Sequence, residues 1–234
     1  QTATENLDKK QGTVHDVPDQ LGMLKSISKK AIRISKPEDV ITKLMEATTA
    51  ALTPPMGPVS VEIPIDIQRT IIERPSELDQ IKLPSINLQI GDISSLDKIE
   101  DIVKKSKRKI LWVGNGAKFA KDEVEKFIDI GFAVVTSTLG RGVVPESNKM
   151  SMGAFNAVPL IEDFYKTLDL MIVVGSRLRG HETRDMSLKL PDNIIQIDID
   201  PDAENRTYKT NLFHCGDAKM VLGELANRLS NTIL

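Results

Sequence analysis

The sequence predicts an α/β protein whose larger part is a parallel sheet covered by helices. Short runs rich in Val, Ile and Leu alternate with longer segments whose apolar residues recur at helical spacing, which is typical of strands joined by helical crossovers. The run KILWVGNGAKF, residues 109–119, places a glycine turn between a buried strand and a helix-like segment. Polar segments that contain glycine or Asp follow four of the strand-like runs. They are expected at one edge of the sheet, because parallel strands share their carboxyl ends.

Composition excludes several classes of protein. The 234 residues are 40% hydrophobic and 27% charged, as in ordinary soluble globular proteins. A net charge of −2 gives no reason to expect nucleic acid as a partner. No apolar run approaches the roughly 20 residues of a membrane helix, so no membrane is expected. The single cysteine, Cys215, excludes an internal disulfide framework and fits a cytoplasmic location. The chain has no initiator Met, so we expect that it begins partway through a longer protein.

Four segments are expected along the chain. Residues 1–13 are polar and predicted to form a disordered tail. Residues 14–68 form a partial α/β segment with a strand at 27–34, a helix over 40–51 and a strand at 59–63. Residues 69–92 carry two prolines and no periodicity, so they are predicted to be a linker.

Residues 93–234 are predicted to form the sheet domain. The pattern predicts a helix capped by Ser94 or Ser95 and a last helix capped by Asp217. Further helices are expected over 120–130 and 160–168. Strands are expected at 110–113, 132–136, 170–174, 193–199 and 212–213.

The loops at the strand ends suggest a nucleotide site. Gly114-Asn115-Gly116 would admit a pyrophosphate, and Arg177 would pair with phosphate. Asp198 or Asp200 would accept hydrogen bonds from ribose hydroxyls, while Gly216 and Asp217 would add contacts at the last helix. Under the alternative interpretation the glycines serve tight turns, the aspartates cap helices and Arg177 pairs with a carboxylate. Phe119 stands where the dinucleotide fingerprint has its third glycine.

No catalytic constellation is visible in the sheet domain. The three histidines, His15, His181 and His214, lie in separate segments. Nucleophile-elbow, paired-cysteine, zinc-protease and Walker lysine motifs are absent from the sequence. We expect packing for His214 and a solvated loop for His181.

Taken together, the motifs carry a family resemblance. GPVSVEIPIDIQ is followed by VGNGA, TSTLGRGVVPES, VGSRLRG, IIQIDIDP and CGDAK. In order and spacing this series resembles thiamine-diphosphate-dependent enzymes of the acetolactate synthase and 2-oxo-acid decarboxylase superfamily. The resemblance implies that residues 14–68 are the C-terminal part of the pyrimidine-binding (N-terminal) domain. Residues 93–234 would be a complete central domain, with a six-stranded, parallel, Rossmann-like sheet of the DHS-like NAD/FAD-binding type.

The resemblance also implies which cofactors the intact enzyme uses. It would bind thiamine diphosphate and Mg²⁺, act on a small 2-oxo acid and form a homo-oligomer, a dimer or tetramer. The family's GDG motif for metal and diphosphate is absent here, since Gly91-Asp92 and Gly216-Asp217 lack the second glycine. The 234 residues are therefore expected to be a catalytically incomplete fragment that does not bind thiamine diphosphate.

Site residues follow from the same resemblance. His15 would be a proton carrier near the substrate in the intact enzyme. The central domain would bind FAD, ADP or nothing. Its nucleotide contacts would be Gly114, Asn115, Gly116, Ser137, Thr138, Leu139, Gly153, Gly175, Ser176, Arg177, Asp198, Ile199, Gly216 and Asp217, with Met152, Ala154 and Ala218 beside them. Asn115 interrupts the glycines of the first turn, and Leu178-Arg179-Gly180-His181 replaces the FDDR of the synthases, which argues against FAD specifically.

Two other interpretations remain open at this stage. One is a stand-alone FAD- or NAD-binding domain with the same type of sheet. The other is a purely structural domain that bridges subunits.

Overall fold

The computed structural model describes residues 2–230. The chain divides into two compact units, Gln1–Asn87 and Leu88–Leu234. No helix among the described residues is both long and apolar enough to cross a membrane.

The first unit is a small parallel β-pair with helices. Strands β1 (Lys30–Arg33) and β2 (Val59–Glu62) pair in parallel. Helices α1 (Gln20–Ile27), α2 (Val40–Leu52) and α3 (Ile65–Arg69) accompany them. The strand predicted from residue 27 is shorter than expected. Asp19 caps α1 by accepting a hydrogen bond from the Gly22 N–H, and α1 takes up the chain as far as Ile27.

The N-terminal segment makes specific contacts within the first unit, and disorder over residues 1–13 stays a prediction. The hydroxyl of the buried Thr2 lies 3.2 Å from the His15 carbonyl oxygen, and the Thr4 N–H donates to Asp66 at 2.9 Å. Arg33, at the end of β1, pairs with Asp8 and with the buried Glu62. A polar composition favours disorder when the polar groups find no partners, whereas Thr4 and Asp8 pair here with Asp66 and Arg33.

Among the residues that the structure describes, the second unit contains five parallel strands, in the order β4-β3-β5-β6-β7 across the sheet. Their bounds are β3 (Lys109–Val113), β4 (Phe132–Thr136), β5 (Leu170–Val174), β6 (Ile194–Asp198) and β7 (Leu212–Cys215). The prediction of six strands is therefore wrong by one. Residues 150–153 run beside β4 but form only a single bridge, between Val134 and Ser151. Gly153, the last of these residues, has a φ of +55°, which lies outside the extended range of a strand.

Helices cover both faces of this sheet. Alternate strand residues point to opposite faces. Leu111 and Val113 pack with α4 (Ile93–Lys105), α5 (Lys121–Asp129) and α7 (Ala218–Ser230). Trp112 faces the other way and packs with Tyr165 of α6 (Pro159–Tyr165), their ring centroids 6.4 Å apart. This burial on both sides explains why the strands read as continuous apolar runs.

The helix starts differ in part from those predicted. Asp92, rather than Ser94 or Ser95, caps α4, because its carboxylate accepts the Ser94 N–H at 3.0 Å. The helix expected over 120–130 runs from Lys121 to Asp129, and a 3-10 turn over Asn115–Ala117 precedes it. Asp217 caps α7 as predicted, accepting the Lys219 and Met220 N–H groups at 3.0 and 3.1 Å.

Candidate functional site

The predicted site residues of the second unit come from loops at the carboxyl edge of the sheet. The chain leaves β3 toward β4 on one side and returns to β5 on the other side of β3. The loops after β3 and β5 therefore flank the point where the strand order reverses. In open α/β sheets this is the usual place for a ligand.

Three glycines at this point pack against one another. A Cβ added at Gly114 would lie 2.3 Å from the Gly175 carbonyl oxygen. One added at Gly116 would lie 2.7 Å from the Gly175 Cα. Gly175 itself has a φ of +57°, a conformation that L side chains rarely adopt. These positions require glycine because two stretches of backbone touch there.

The N–H groups of both glycines of the first turn are already engaged. Gly114 donates to the Val174 carbonyl oxygen at 2.8 Å, and Gly116 donates to the Gly175 carbonyl oxygen at 2.9 Å. A pyrophosphate cradle needs such groups free and aimed at the ligand. Asn115 and Phe119 are exposed, and the Lys118 ammonium lies 4.9 Å from the centre of the Phe119 ring. The turn therefore serves backbone packing, and its exposed surface consists of side chains.

The next two loops combine buried and exposed contacts. Ser137 is buried, and its Oγ accepts the Gly140 N–H at 3.0 Å. Thr138 and Leu139 are exposed beside it, so they remain available to a ligand. Gly153 is buried, and its carbonyl oxygen accepts the Thr136 N–H at 2.9 Å, which fastens the loop to the end of β4.

Gly140 is a structural residue that sequence reasoning missed. A Cβ at this position would lie 2.2 Å from the Val113 carbonyl oxygen, so the absence of a side chain lets the loop after β4 pack directly against the end of β3. The glycine in the TSTLG motif was the available signal.

The loop after β5 carries two exposed cations, Arg177 and Arg179. Ser176 is buried: its Oγ accepts the Leu178 N–H at 3.2 Å, and its carbonyl oxygen accepts from Gln196 at 3.3 Å. The Arg177 side chain is exposed, while its carbonyl oxygen is held by the Thr207 hydroxyl at 3.0 Å. Arg177 is thus positioned by its backbone while its guanidinium faces solvent.

Asp198 and Asp200 close the end of β6. Burial raises the pKa of Asp198, and the nearby Arg177 charge opposes that rise. One Asp198 oxygen accepts the Asp200 N–H at 3.0 Å. Asp200 pairs with Arg206 at 3.1 Å and caps the following turn through the Asp202 N–H at 3.0 Å. Asp200 is therefore a structural cap, and Asp198, followed by the half-buried Ile199, is the better placed acceptor.

Gly216 is covered from within the second unit. Its N–H donates to the Asp198 carbonyl oxygen at 2.9 Å, and its Cβ position lies 2.8 Å from the Ile90 carbonyl oxygen. Asp217 is engaged in capping α7. Neither residue presents a free group of the kind that the sequence suggested.

The histidines lie in three different settings. His15 is exposed in the first unit, at a φ of 65°. His181 is exposed as expected, and its Nε2 lies 3.8 Å from an oxygen of the buried Glu182. His214 is buried and hydrogen-bonded through both ring nitrogens. Among the residues that the structure describes, no group of three or more His, Cys, Asp or Glu residues is arranged to hold a metal ion.

Comparison with known families agrees with this fold. Residues 96–225 match the family model described as "Thiamine pyrophosphate enzyme, central domain". The chain belongs to the thiamine pyrophosphate enzyme family. The match begins within α4 and ends within α7, so it covers the five-stranded sheet.

Curated relatives of this thiamine pyrophosphate enzyme chain extend the match into the first unit. The acetolactate synthase large subunit of Corynebacterium glutamicum is 30% identical over 217 residues, 87% of this chain and 34% of the relative. The large subunit from Haemophilus influenzae is 28% identical over 220 residues, 91% of this chain and 38% of the relative. The chain thus spans about a third of the length of these relatives.

A solved structure shows the same fold. It is a protein from Mycobacterium smegmatis, provisionally assigned as a thiamin diphosphate-dependent enzyme. The match has a TM-score of 0.75 at 24% identity and covers 97% of this chain and 44% of that one.

Proposed function

We propose that this chain contributes the central domain, and the adjoining end of the pyrimidine-binding domain, to a thiamine-diphosphate-dependent enzyme acting on 2-oxo acids. The reaction would be a carboligation like that of acetolactate synthase, or a decarboxylation. The observation that carries the proposal is the match of residues 96–225 to the family's central domain. It is supported by acetolactate synthase relatives that align with 87–91% of the chain.

The central domain would have a structural role in this enzyme, and the catalytic chemistry would take place in other domains. Thiamine diphosphate supplies the electron sink for 2-oxo-acid chemistry when it is bound. The 234-residue sequence contains no GDG motif, and the described residues contain no metal-binding group. We therefore propose that these residues alone neither bind the cofactor with Mg²⁺ nor turn over substrate. His15 is the one residue of the chain that we propose as a proton carrier, because an exposed imidazole has one nitrogen that donates and one that accepts a proton.

We further propose that the central domain keeps its shape without a nucleotide. Gly114, Gly116 and Gly175 are explained by backbone packing, and the Gly116 N–H is already bonded. The first turn therefore does not fit a pyrophosphate. FAD or ADP remains the alternative ligand. Either would have to use the exposed residues Asn115, Thr138, Leu139 and Arg177, with Asp198 and Ile199 beside them.

Activity assays on two polypeptides test the function. The 234-residue chain and the longest polypeptide encoded by its gene are purified, and pyruvate consumption is measured with and without thiamine diphosphate and Mg²⁺. We expect cofactor-dependent activity only in the longer polypeptide. An inactive long polypeptide that also fails to bind thiamine diphosphate in calorimetry would refute the assignment. Turnover by the 234 residues would refute their incompleteness.

A visible absorption spectrum tests the nucleotide question separately. Purified chain incubated with FAD and then desalted should be colourless. Calorimetric titration with ADP should show no binding. A retained flavin spectrum, lost in Arg177→Ala but kept in the Arg179→Ala control, would establish the nucleotide site instead.

Homo-oligomeric assembly and a cytoplasmic location are part of the same proposal. Light scattering of the longer polypeptide, with a dimer or tetramer expected, tests the first. Fractionation of cells that express it tests the second.

A further inference from the structure

The entry segment of the second unit, Gln89–Asp92, lies across the carboxyl end of β7. We call it the entry strap. The Gln89 carbonyl oxygen accepts the Asp217 N–H at 2.8 Å. Gly91, at a φ of +82°, passes so close to β7 that a Cβ there would lie 2.1 Å from the Cys215 carbonyl oxygen. The strap ends where Asp92 caps α4.

The His214 side chain forms hydrogen bonds that hold the strap against β7. Its side chain is buried, and its Nε2 lies 2.6 Å from the Ile90 carbonyl oxygen. Its Nδ1 lies 2.5 Å from the Ser95 hydroxyl, which is itself 2.8 Å from the Asp92 carbonyl oxygen. One imidazole therefore connects β7 with the strap and with the first turn of α4.

The donors and acceptors fix the tautomer. A carbonyl oxygen only accepts, so Nε2 carries the hydrogen that goes to Ile90. In the neutral ring Nδ1 is then bare and accepts from Ser95, whose single hydrogen is no longer available for Asp92. A second proton on His214 would reverse the Nδ1 contact and release the Ser95 hydrogen to Asp92. The closed strap then keeps its bonds to Ile90 and Ser95 and gains the bond from Ser95 to Asp92, but it encloses a cation whose burial opposes this gain.

The surroundings favour the neutral ring. Burial lowers the pKa of His214, and its hydrogen bond to Ile90 and the Asp92 charge oppose that shift only in part. Asp92 precedes α4, and its carboxylate is engaged in capping that helix. Cys215 and Asp217 flank His214 along the chain, and Asp198 ends the neighbouring strand. Of these groups, Asp92 is the ionisable group that acts on the imidazole charge.

We propose that His214 is a proton-operated latch that holds the entry strap closed at neutral pH and loosens it in acid. The neutral ring fits the buried position, whereas an imidazolium is more stable when the strap is open and the ring is hydrated. Opening uncovers Gly216 and frees the Asp217 N–H. The ordinary histidine pKa is about 6.5, so the opening equilibrium should rise by up to about tenfold at pH 5.5 compared with pH 7.5.

Amide hydrogen exchange tests the latch. The 234-residue chain is compared at pH 7.5 and 5.5, with rates corrected for intrinsic exchange, in peptides covering residues 88–95 and the Asp217 amide. We expect faster opening at pH 5.5 in the unmodified chain and in the His181→Gln and His15→Gln controls. In His214→Gln, whose amide can still donate to Ile90, the pH dependence should disappear. In Ser95→Ala, opening should be faster at both pH values and still pH-dependent.

Three outcomes would overturn the latch. The first is an equal exchange rate at the two pH values in the unmodified chain. The second is an exchange rate in His214→Gln that increases at pH 5.5 as much as in the unmodified chain. The third is an exchange rate in His181→Gln that no longer increases at pH 5.5. If His214→Gln does not fold, an NMR titration of the unmodified chain replaces it. His214 should then titrate below about 6.5, and a midpoint at or above that value would contradict the proposal.

Discussion

Replacing Gly114 by Ala tests whether the glycine turn serves packing or ligand binding. The φ of Gly114 is −99°, which any residue adopts, so the effect of the substitution is steric. The new methyl group would lie 2.3 Å from the Gly175 carbonyl oxygen and 2.6 Å from the Ser176 Cβ. The Gly175 carbonyl carbon would lie 2.7 Å away, and no rotamer change can move it or the carbonyl oxygen, because both are backbone atoms.

The expected cost has two parts. Overpacking of a tight site costs about 1–3 kcal/mol. Separating the two loops would also weaken the hydrogen bonds from Gly114 to Val174 and from Gly116 to Gly175, each contributing about 1 kcal/mol. We therefore expect Gly114→Ala to lower the free energy of unfolding of the second unit by about 2–5 kcal/mol.

Urea unfolding followed by Trp112 fluorescence measures this loss. Trp112 is the single tryptophan and is buried in the second unit, so it reports on that unit. Gly223→Ala is the matched control. Gly223 lies inside α7, and its Cβ position is 3.7 Å from the nearest Glu123 atom, so Ala fits and should stabilise by up to about 1 kcal/mol. If Gly114→Ala is as stable as the unmodified chain, the packing explanation fails and a ligand-binding role for the turn regains support.

Three further predictions concern the same unit. Phe127→Ala should cost about 3–5 kcal/mol in urea unfolding, because Phe127 is fully buried with its ring centroid 5.1 Å from that of Phe132. Replacing the exposed Phe119 by Ala should change the free energy of unfolding by less than about 0.5 kcal/mol. An equal loss of stability in Phe127→Ala and Phe119→Ala would contradict the assigned core. Ser95→Ala should cost about 1–3 kcal/mol at pH 7.5, since it leaves the buried Nδ1 of His214 without a partner, and an unchanged midpoint would argue against that hydrogen bond. Asp198→Asn should stabilise the unit at pH 7. Burial raises the folded-state pKa of Asp198, so its ionised form destabilises the fold above that pKa, and the difference should shrink as the pH falls through it. If the difference in unfolding free energy between Asp198→Asn and the unmodified chain grew in acid, the inferred direction of the pKa shift would be wrong.

Much of the architecture follows from periodicity. Ile110–Val113 and Leu170–Val174 are continuous apolar runs, and such runs form parallel strands because both faces of the sheet are covered. Asp217 was recognisable as a cap from its place before an apolar helical pattern. The series of weak motifs also identified the family correctly, because their order over the whole chain is far more specific than any one of them.

Other features depend on distances that no local pattern encodes. A glycine that admits a phosphate and one that admits a neighbouring backbone look the same in sequence. Only the approach of Gly114 and Gly116 to Gly175 distinguishes the two roles. The missing sixth strand depends on how far residues 150–153 follow β4. The links from His214 to Ser95 and Ile90 join positions 119 and 124 residues apart. The sequence by itself therefore determined the α/β class, the family and most elements, because these depend on local periodicity and motif order. The tertiary structure alone decided which polar groups remain free, because that depends on contacts between loops far apart in the chain.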